Sequence, residues 1–142
     1  MIQDIGISFD NHFEPLAPSP EDAVVCFQGD TVLLAQREGE IAFPSAKEAG
    51  GAGTYLFSVG ERRYFLGDAA PFGDYAYHEI ALLRRSAPRE TVFAGVTALH
   101  LYRWYRDHRF CGRCGKPMRP SKTERAMVCE CGNTVYPVIA RP

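Results

Sequence analysis

Phe110-Cys111-Gly112-Arg113-Cys114-Gly115, thirteen further residues, then Cys129-Glu130-Cys131-Gly132-Asn133-Thr134-Val135-Tyr136-Pro137 is the stretch whose reading decides this chain. It holds two close cysteine pairs, a C-x2-C and a tighter C-x-C, each followed directly by glycine. Four thiolates at this separation suit a tetrahedral soft-ligand site, for which Zn²⁺ is the usual occupant. A turn that aims two sulfurs at one ion needs a positive φ just after the second cysteine, and Gly115 and Gly132 supply it without strain. The intervening Met118–Val128 segment, with one proline and a Lys-Thr-Glu-Arg centre, suits a short hairpin between two knuckles. The predicted unit is a zinc ribbon over residues 110–137, with Cys111, Cys114, Cys129 and Cys131 as ligands. His108 is the nearest alternative ligand should the C-x-C pair supply only one sulfur. A complete four-cysteine set leaves zinc no open position, so the metal is expected to be structural.

Working outward, the totals bound the rest. The chain has 142 residues, 46% hydrophobic and 23% charged, which is a globular composition with room for one ordinary domain or for a small domain plus an appended ribbon. Its net charge of −1 disfavours nucleic-acid binding driven by overall charge. The helix and ribbon region is nevertheless basic, with Arg103, Arg106, Arg109, Arg113, Lys116, Arg119, Lys122, Arg125 and Arg141. A solvated face is the ordinary reading of such a run, with a phosphate-binding surface as its rival. No run of 18 apolar residues is present, so no membrane span is expected. The first residues lack a cationic start and an apolar core, so the expectation is no signal peptide, a cytoplasmic location and reduced thiols. Cys26, within Ala23-Val24-Val25-Cys26-Phe27, reads as a small buried hydrophobe apart from the other four.

Upstream, the fold class is expected to be α+β: a small antiparallel sheet with one or two helices over residues 1–109, followed by the ribbon. A short strand is expected at Ile5–Phe9, then a proline-rich loop. Val24–Gln28 and Thr31–Gln36 flank Gly29-Asp30, and Thr54–Val59 and Arg62–Gly67 flank Gly60-Glu61, so both read as hairpins. Residues 37–53 read as a surface loop. Asp74 reads as the N-cap of a helix over Tyr75–Arg85, which Ser86-Ala87-Pro88 ends. A longer helix is expected over Glu90–Asp107 with Val92, Val96, Leu99 and Tyr102 or Arg103 on one stripe, and with His100 as a hydrogen-bonded core histidine. Residues 138–142 read as the start of a further strand and domain, so the chain is expected to be a piece of a longer protein.

Residues 100–142 resemble the NADH pyrophosphatase (NAD diphosphatase) branch of the Nudix hydrolases. The resemblance is carried by His108-Arg109-Phe110-Cys111-Gly112-Arg113-Cys114-Gly115, by Pro120-Ser121-Lys122-Thr123-Glu124-Arg125-Ala126-Met127 and by Val135-Tyr136-Pro137-Val138-Ile139-Ala140-Arg141-Pro142. It implies a β-rich N-terminal domain, a four-cysteine ribbon and a catalytic Nudix domain downstream. It further implies a homodimer, and cleavage by the whole protein of NAD(H) or of the NAD cap of RNA. By motif position it implies that Glu124 and Tyr136 touch the dinucleotide, and that an upstream arginine, Arg84 or Arg85, does so too. Two departures stand out: the second knuckle is one residue short, and the Nudix box is absent. That box gathers the carboxylates that hold Mg²⁺ or Mn²⁺ at a pyrophosphate. The segment Arg37-Glu38-Gly39-Glu40 comes nearest and lacks a third carboxylate, so the chain itself is expected to be inactive. The alternative reading is a free-standing zinc-ribbon module that binds nucleic acid or a protein partner.

Overall fold

The computed structural model describes residues 9–10, 13, 16–85 and 88–137. The expected strand start at residues 5–8 and the expected downstream strand at 138–142 lie outside them. Ten strands and one α-helix follow in order: β1 (Phe9–Asp10), β2 (Ala23–Gln28), β3 (Thr31–Arg37), β4 (Glu40–Ala42), β5 (Thr54–Val59), β6 (Arg62–Gly67), β7 (Ala76–Glu79), α1 (Arg89–Asp107), β8 (Arg119–Pro120), β9 (Met127–Val128) and β10 (Thr134–Val135). The class is α+β, with a four-cysteine ribbon after the helix.

The first seven strands form one sheet in the order β1-β5-β6-β2-β3-β4, with β7 also paired to β3. Both expected hairpins are present, turning on Gly29-Asp30 and Gly60-Glu61. Pairing is antiparallel except at one seam. There β2 runs parallel to β6, with Ala23 opposite Tyr64 and Cys26 opposite Gly67, where the two hairpins lie side by side.

The sheet is buried on both faces, which explains why β2 reads as an unbroken apolar run rather than an alternation. Ala23, Val25, Phe27, Val32 and Leu34 face the helix side, while Val24, Cys26, Leu33 and Ala35 face a second cluster with Tyr55, Phe65 and Tyr75. Burial pushes the Cys26 thiol up to about 11, with the Asp68 charge adding to it. A β-bulge between Tyr55 and Phe57 puts Leu56 and Phe57 on the same face, both in the helix-side core.

Residues 37–53 are not simply a surface loop. Glu38 and Gly39 both adopt positive φ, 53° and 82°, the signature of a two-residue hairpin turn, and they fold β4 back onto β3. Phe43, Pro44 and Ala46 are buried beyond it.

The expected helix over Tyr75–Arg85 is not formed. Residues 76–79 are strand β7, which pairs antiparallel with β3 from Thr31 opposite Glu79 to Leu34 opposite Ala76, and only Ile80–Arg85 is helical, as a 3-10 turn. Asp74 caps nothing; its carboxylate accepts two hydrogen bonds from Arg37, at 2.8 and 2.9 Å. Seven or so residues of weak 3.6-residue periodicity lose here to an edge of β3 that would otherwise be left unpaired.

Helix α1 spans Arg89–Asp107, within a residue of expectation, and its expected stripe packs on the core, with the buried face centred to one side of it. Its deepest residues are Ala94, Gly95, Ala98, Leu99 and Leu101, with Val92, Phe93, Val96 and Tyr102 at the margins. Small residues let the helix approach closely: a Cβ built on Gly95 would stand 3.0 Å from both Leu83 and Phe43. His100 is exposed rather than in the core, because the buried face is rotated away from it.

Candidate metal centre and ribbon

The ribbon is a three-stranded antiparallel sheet, β10-β9-β8, in which Val128 lies opposite both Arg119 and Thr134. Strands of two residues cannot hold such a sheet by themselves. The two cysteine knuckles close it.

The knuckles are built alike, one residue apart in length. In the first, the Gly115 N–H donates to the Cys111 carbonyl at 2.9 Å and the Cys111 N–H donates to the Lys116 carbonyl at 2.8 Å. In the second, the Gly132 N–H donates to the Cys129 carbonyl at 3.0 Å and the Cys129 N–H to the Asn133 carbonyl at 2.9 Å. Each hydrogen-bonded ring in the C-x-C knuckle is thus shortened by the residue that the C-x2-C knuckle has in excess. Gly115 and Gly132 sit at φ of 79° and 95°, the left-handed conformation expected of them.

All four sulfurs lie within 4.8 Å of one another. Cys111 and Cys131 are 3.7 Å apart and Cys114 and Cys129 are 3.4 Å apart. Thiolates about 2.3 Å from a tetrahedral zinc stand about 3.8 Å from each other, so these four fit a structural zinc ion with little movement. His108 is not among them; its Nδ1 lies 2.7 Å from the Trp104 carbonyl. Asn133, which sequence reading passed over, donates its amide to the Cys111 sulfur at 3.4 Å, and the Arg113 N–H points at the same sulfur at 3.3 Å. The Asn133 amide, with the Cys114 and Arg113 backbone N–H groups, holds the Cys111 thiol down at about 6. Cys129 moves the other way, to about 12. The Cys131 N–H lowers it, but burial and hydrogen bonds with the Cys114, Cys131 and Cys111 sulfurs outweigh that. Cysteine sulfurs gathered this closely suit a dication, which binds them as thiolates and displaces their protons.

The ribbon is seated on the helix and sheet. Trp104 and Tyr105 of α1 pack against Cys111, Met118, Met127 and Cys129. Arg125, counted from sequence among the solvated basic run, is 7% exposed. It donates to the carbonyls of Tyr55 and Leu56, at the β5 bulge, and its guanidinium lies 5.5 Å from the centre of the Phe13 ring. At the bulge Leu56 has no register partner on β6, and its carbonyl accepts from Arg125.

The two residues assigned to the dinucleotide by resemblance are brought together. Glu124 lies at the exposed hairpin tip, where its backbone N–H donates to the Ser121 hydroxyl at 3.1 Å. The Tyr136 hydroxyl donates to Glu124 Oε2 at 3.1 Å across the ribbon, and this hydrogen bond to a carboxylate raises the phenol's pKa. Tyr136 remains 55% exposed. The side chains of Arg84 and Arg85 lie outside the described residues.

These features define a structural zinc-ribbon protein, and residues 106–136 match the family model described as NADH pyrophosphatase zinc ribbon domain. The similar curated proteins are more particular. The chain is 56% identical over 43 residues to the NAD-capped RNA hydrolase NudC of Salmonella typhi, covering 30% of this chain and 17% of that protein. It is 30% identical over 115 residues to the NAD-capped RNA hydrolase NudC of Citrobacter koseri, covering 75% of this chain and 45% of that protein. The second alignment reaches well upstream of the ribbon, and less than half of that relative's length is spanned. Together the matches fit a piece of an NADH pyrophosphatase. Among the described residues no helix is long and apolar enough to cross a membrane.

Proposed function

We propose that this chain is the N-terminal and zinc-ribbon portion of a Nudix NAD(H) diphosphatase. The whole protein would cleave the pyrophosphate of NADH, or of the NAD cap on RNA, with Mg²⁺ or Mn²⁺ held by a Nudix domain beyond Pro142. In this reading the protein is cytoplasmic, and the chain supports a homodimer and contributes part of the nucleotide site without turning over substrate itself. Zinc, held by Cys111, Cys114, Cys129 and Cys131, fixes the ribbon and takes no chemical part, because a four-thiolate shell leaves no coordination position for substrate.

The observation that carries the reading is the Glu124–Tyr136 pair. A carboxylate and a phenol, both exposed and 3.1 Å apart, offer a hydrogen-bond acceptor and an aromatic face on one side of the ribbon. A ribose or amide can be received by the first and a base by the second. The pair already hydrogen-bonded holds both side chains in place before a ligand arrives, which lowers the ordering cost of binding.

The test uses the full-length gene product with Mg²⁺ or Mn²⁺. It should release nicotinamide mononucleotide from NADH or from NAD-capped RNA. Tyr136→Ala and Glu124→Gln should raise KM by roughly tenfold with zinc content unchanged, the loss expected of about one contact. A gene product with no Nudix box within about 80 residues of Pro142, given ordinary domain sizes, would overturn the reading.

A further inference from the structure

The four ribbon cysteines are not equivalent toward solvent. Cys114 and Cys131 are exposed, whereas Cys111 and Cys129 are buried. Each close sulfur pair joins one of each kind and crosses from one knuckle to the other. Exposed Cys114 lies 3.4 Å from buried Cys129, and exposed Cys131 lies 3.7 Å from buried Cys111. The buried members are held in place. The Arg113 N–H and the Asn133 amide donate to the Cys111 sulfur at 3.3 and 3.4 Å, and Trp104, Tyr105, Met118 and Met127 pack around Cys111 and Cys129. Cys26, the fifth cysteine, lies apart from all four, fully buried in the sheet.

This is the layout of an attacking thiolate backed by a resolving one. A cysteine that ligates a metal does so as a thiolate, and a thiolate open to solvent is the form that a peroxide oxidises. A second sulfur fixed within van der Waals distance then meets the oxidised one before further oxidation can.

We propose that the zinc centre is a reversible peroxide switch, with Cys114 and Cys131 as the sites of attack and Cys129 and Cys111 as their resolving partners. Hydrogen peroxide is the oxidant. In the first step the Cys114 thiolate attacks one peroxide oxygen: an S–O bond forms, the O–O bond breaks and hydroxide leaves, giving a sulfenic acid. In the second the Cys129 thiolate attacks that sulfur: an S–S bond forms, the S–O bond breaks and a second hydroxide leaves. Two protons from solvent turn both hydroxides into water, so the pair of thiolates loses two electrons and one peroxide gains them. Cys131 and Cys111 repeat the sequence with a second peroxide. Each disulfide removes two of the four donors, and with both formed the shell can no longer hold its ion. Both new bonds run between the knuckles, so the oxidised ribbon stays tied across the same gap, ready to be reloaded once a dithiol reduces it. The inference rests on the zinc shell and not on NAD(H) chemistry.

The test treats the zinc-loaded chain, its metal content measured first, with hydrogen peroxide beside a chromogenic zinc chelator too weak to strip the untreated protein. About one zinc should be released for every two peroxide molecules consumed, and a dithiol with added zinc should restore the starting content. With limiting peroxide and dimedone, which traps sulfenic acids, adducts should fall on Cys114 and Cys131. Without dimedone, proteolysis after Arg113, Lys116 and Glu130 separates the four cysteines. Mass spectrometry should then find Cys114 joined to Cys129 and Cys111 joined to Cys131, with Cys26 still a thiol. Zinc retained through about ten equivalents of peroxide, disulfides within a knuckle, first adducts on Cys111 or Cys129, or sulfinic acids that a dithiol does not reverse would each overturn the proposal. A chain with no zinc at the outset would overturn it together with the metal site. A zinc-loaded chain that resists peroxide would overturn it alone and leave the metal site and the NAD(H) reading standing.

Discussion

Replacing Arg125 by methionine tests how the ribbon is joined to the sheet. The substitution keeps an unbranched apolar stem of similar volume against Phe13 and removes every donor. Two carbonyls, Tyr55 and Leu56, then lose a charged partner, and Leu56 sits at the bulge, without a register partner on β6. Hydrogen bonds to a charged group contribute about 1.5–3 kcal/mol each. Against this stands the cost of burying the guanidinium, which lowers its pKa despite the neighbouring Tyr105 and Tyr55. That cost is relieved in the variant, so the net loss should be about 2 kcal/mol rather than the full sum. In a domain whose whole stability is about 5–15 kcal/mol, such a change is plain in urea unfolding. Trp104, the single tryptophan, reports from the seam between helix and ribbon. Amide exchange should rise over Thr54–Val59 while zinc content holds. A midpoint unchanged to within about 0.5 kcal/mol, with Thr54–Val59 still protected, would refute the role given to Arg125.

Other outcomes follow from the same geometry. Gly67→Ala should destabilise the sheet by about 1–3 kcal/mol, read by thermal unfolding, because the new Cβ would clash with Val24 Cγ1 across the β2–β6 seam. Stability should fall as pH rises from about 9 to about 11: Cys26 stays protonated in the fold up to about 11, the unfolded chain releases that proton near the ordinary thiol value of 9.0, and deprotonation therefore favours unfolding. Tyr77, raised by burial to about 12, extends the decline above pH 10, and Cys26→Ala should flatten only the first part in a pH series of urea melts. Chelation should expose residues 111–137 to amide exchange and spread through Arg125 to Thr54–Val59, leaving β2 and β3 protected. Loss of protection in β2 and β3 at the same time would contradict a boundary near residue 109.

The ribbon was legible because metal chemistry constrains residue type, spacing and the glycine after each pair, and Cys111, Cys114, Cys129 and Cys131 converge as that logic requires. The two hairpins were legible for a related reason: Gly29-Asp30 and Gly60-Glu61 are local turn signals that need no knowledge of the rest of the chain. What failed was non-local. Residues 76–79 carry a helix-like spacing, yet an unpaired edge of β3, about 45 residues earlier in the chain, decides their state. Helix α1 was placed correctly and its expected stripe of Val92, Val96, Leu99 and Tyr102 does pack on the core, but the approach of Phe43 and Leu83 to Gly95 puts Ala94, Gly95 and Ala98 deepest, small residues that apolar periodicity does not mark. Glu38-Gly39 was a hairpin signal, hidden by the low β-propensity of its neighbours. Arg125 looked like its exposed neighbours because nothing in a basic run marks the member that meets a bulge 69 residues away.

Metal analysis of protein purified without added metal decides whether Cys111, Cys114, Cys129 and Cys131 hold a structural zinc ion. About one zinc per chain is expected, falling below about a tenth of an equivalent when Cys111 and Cys131 are both replaced by serine. Wild-type protein with its thiols reduced and less than about a tenth of an equivalent of zinc would contradict it.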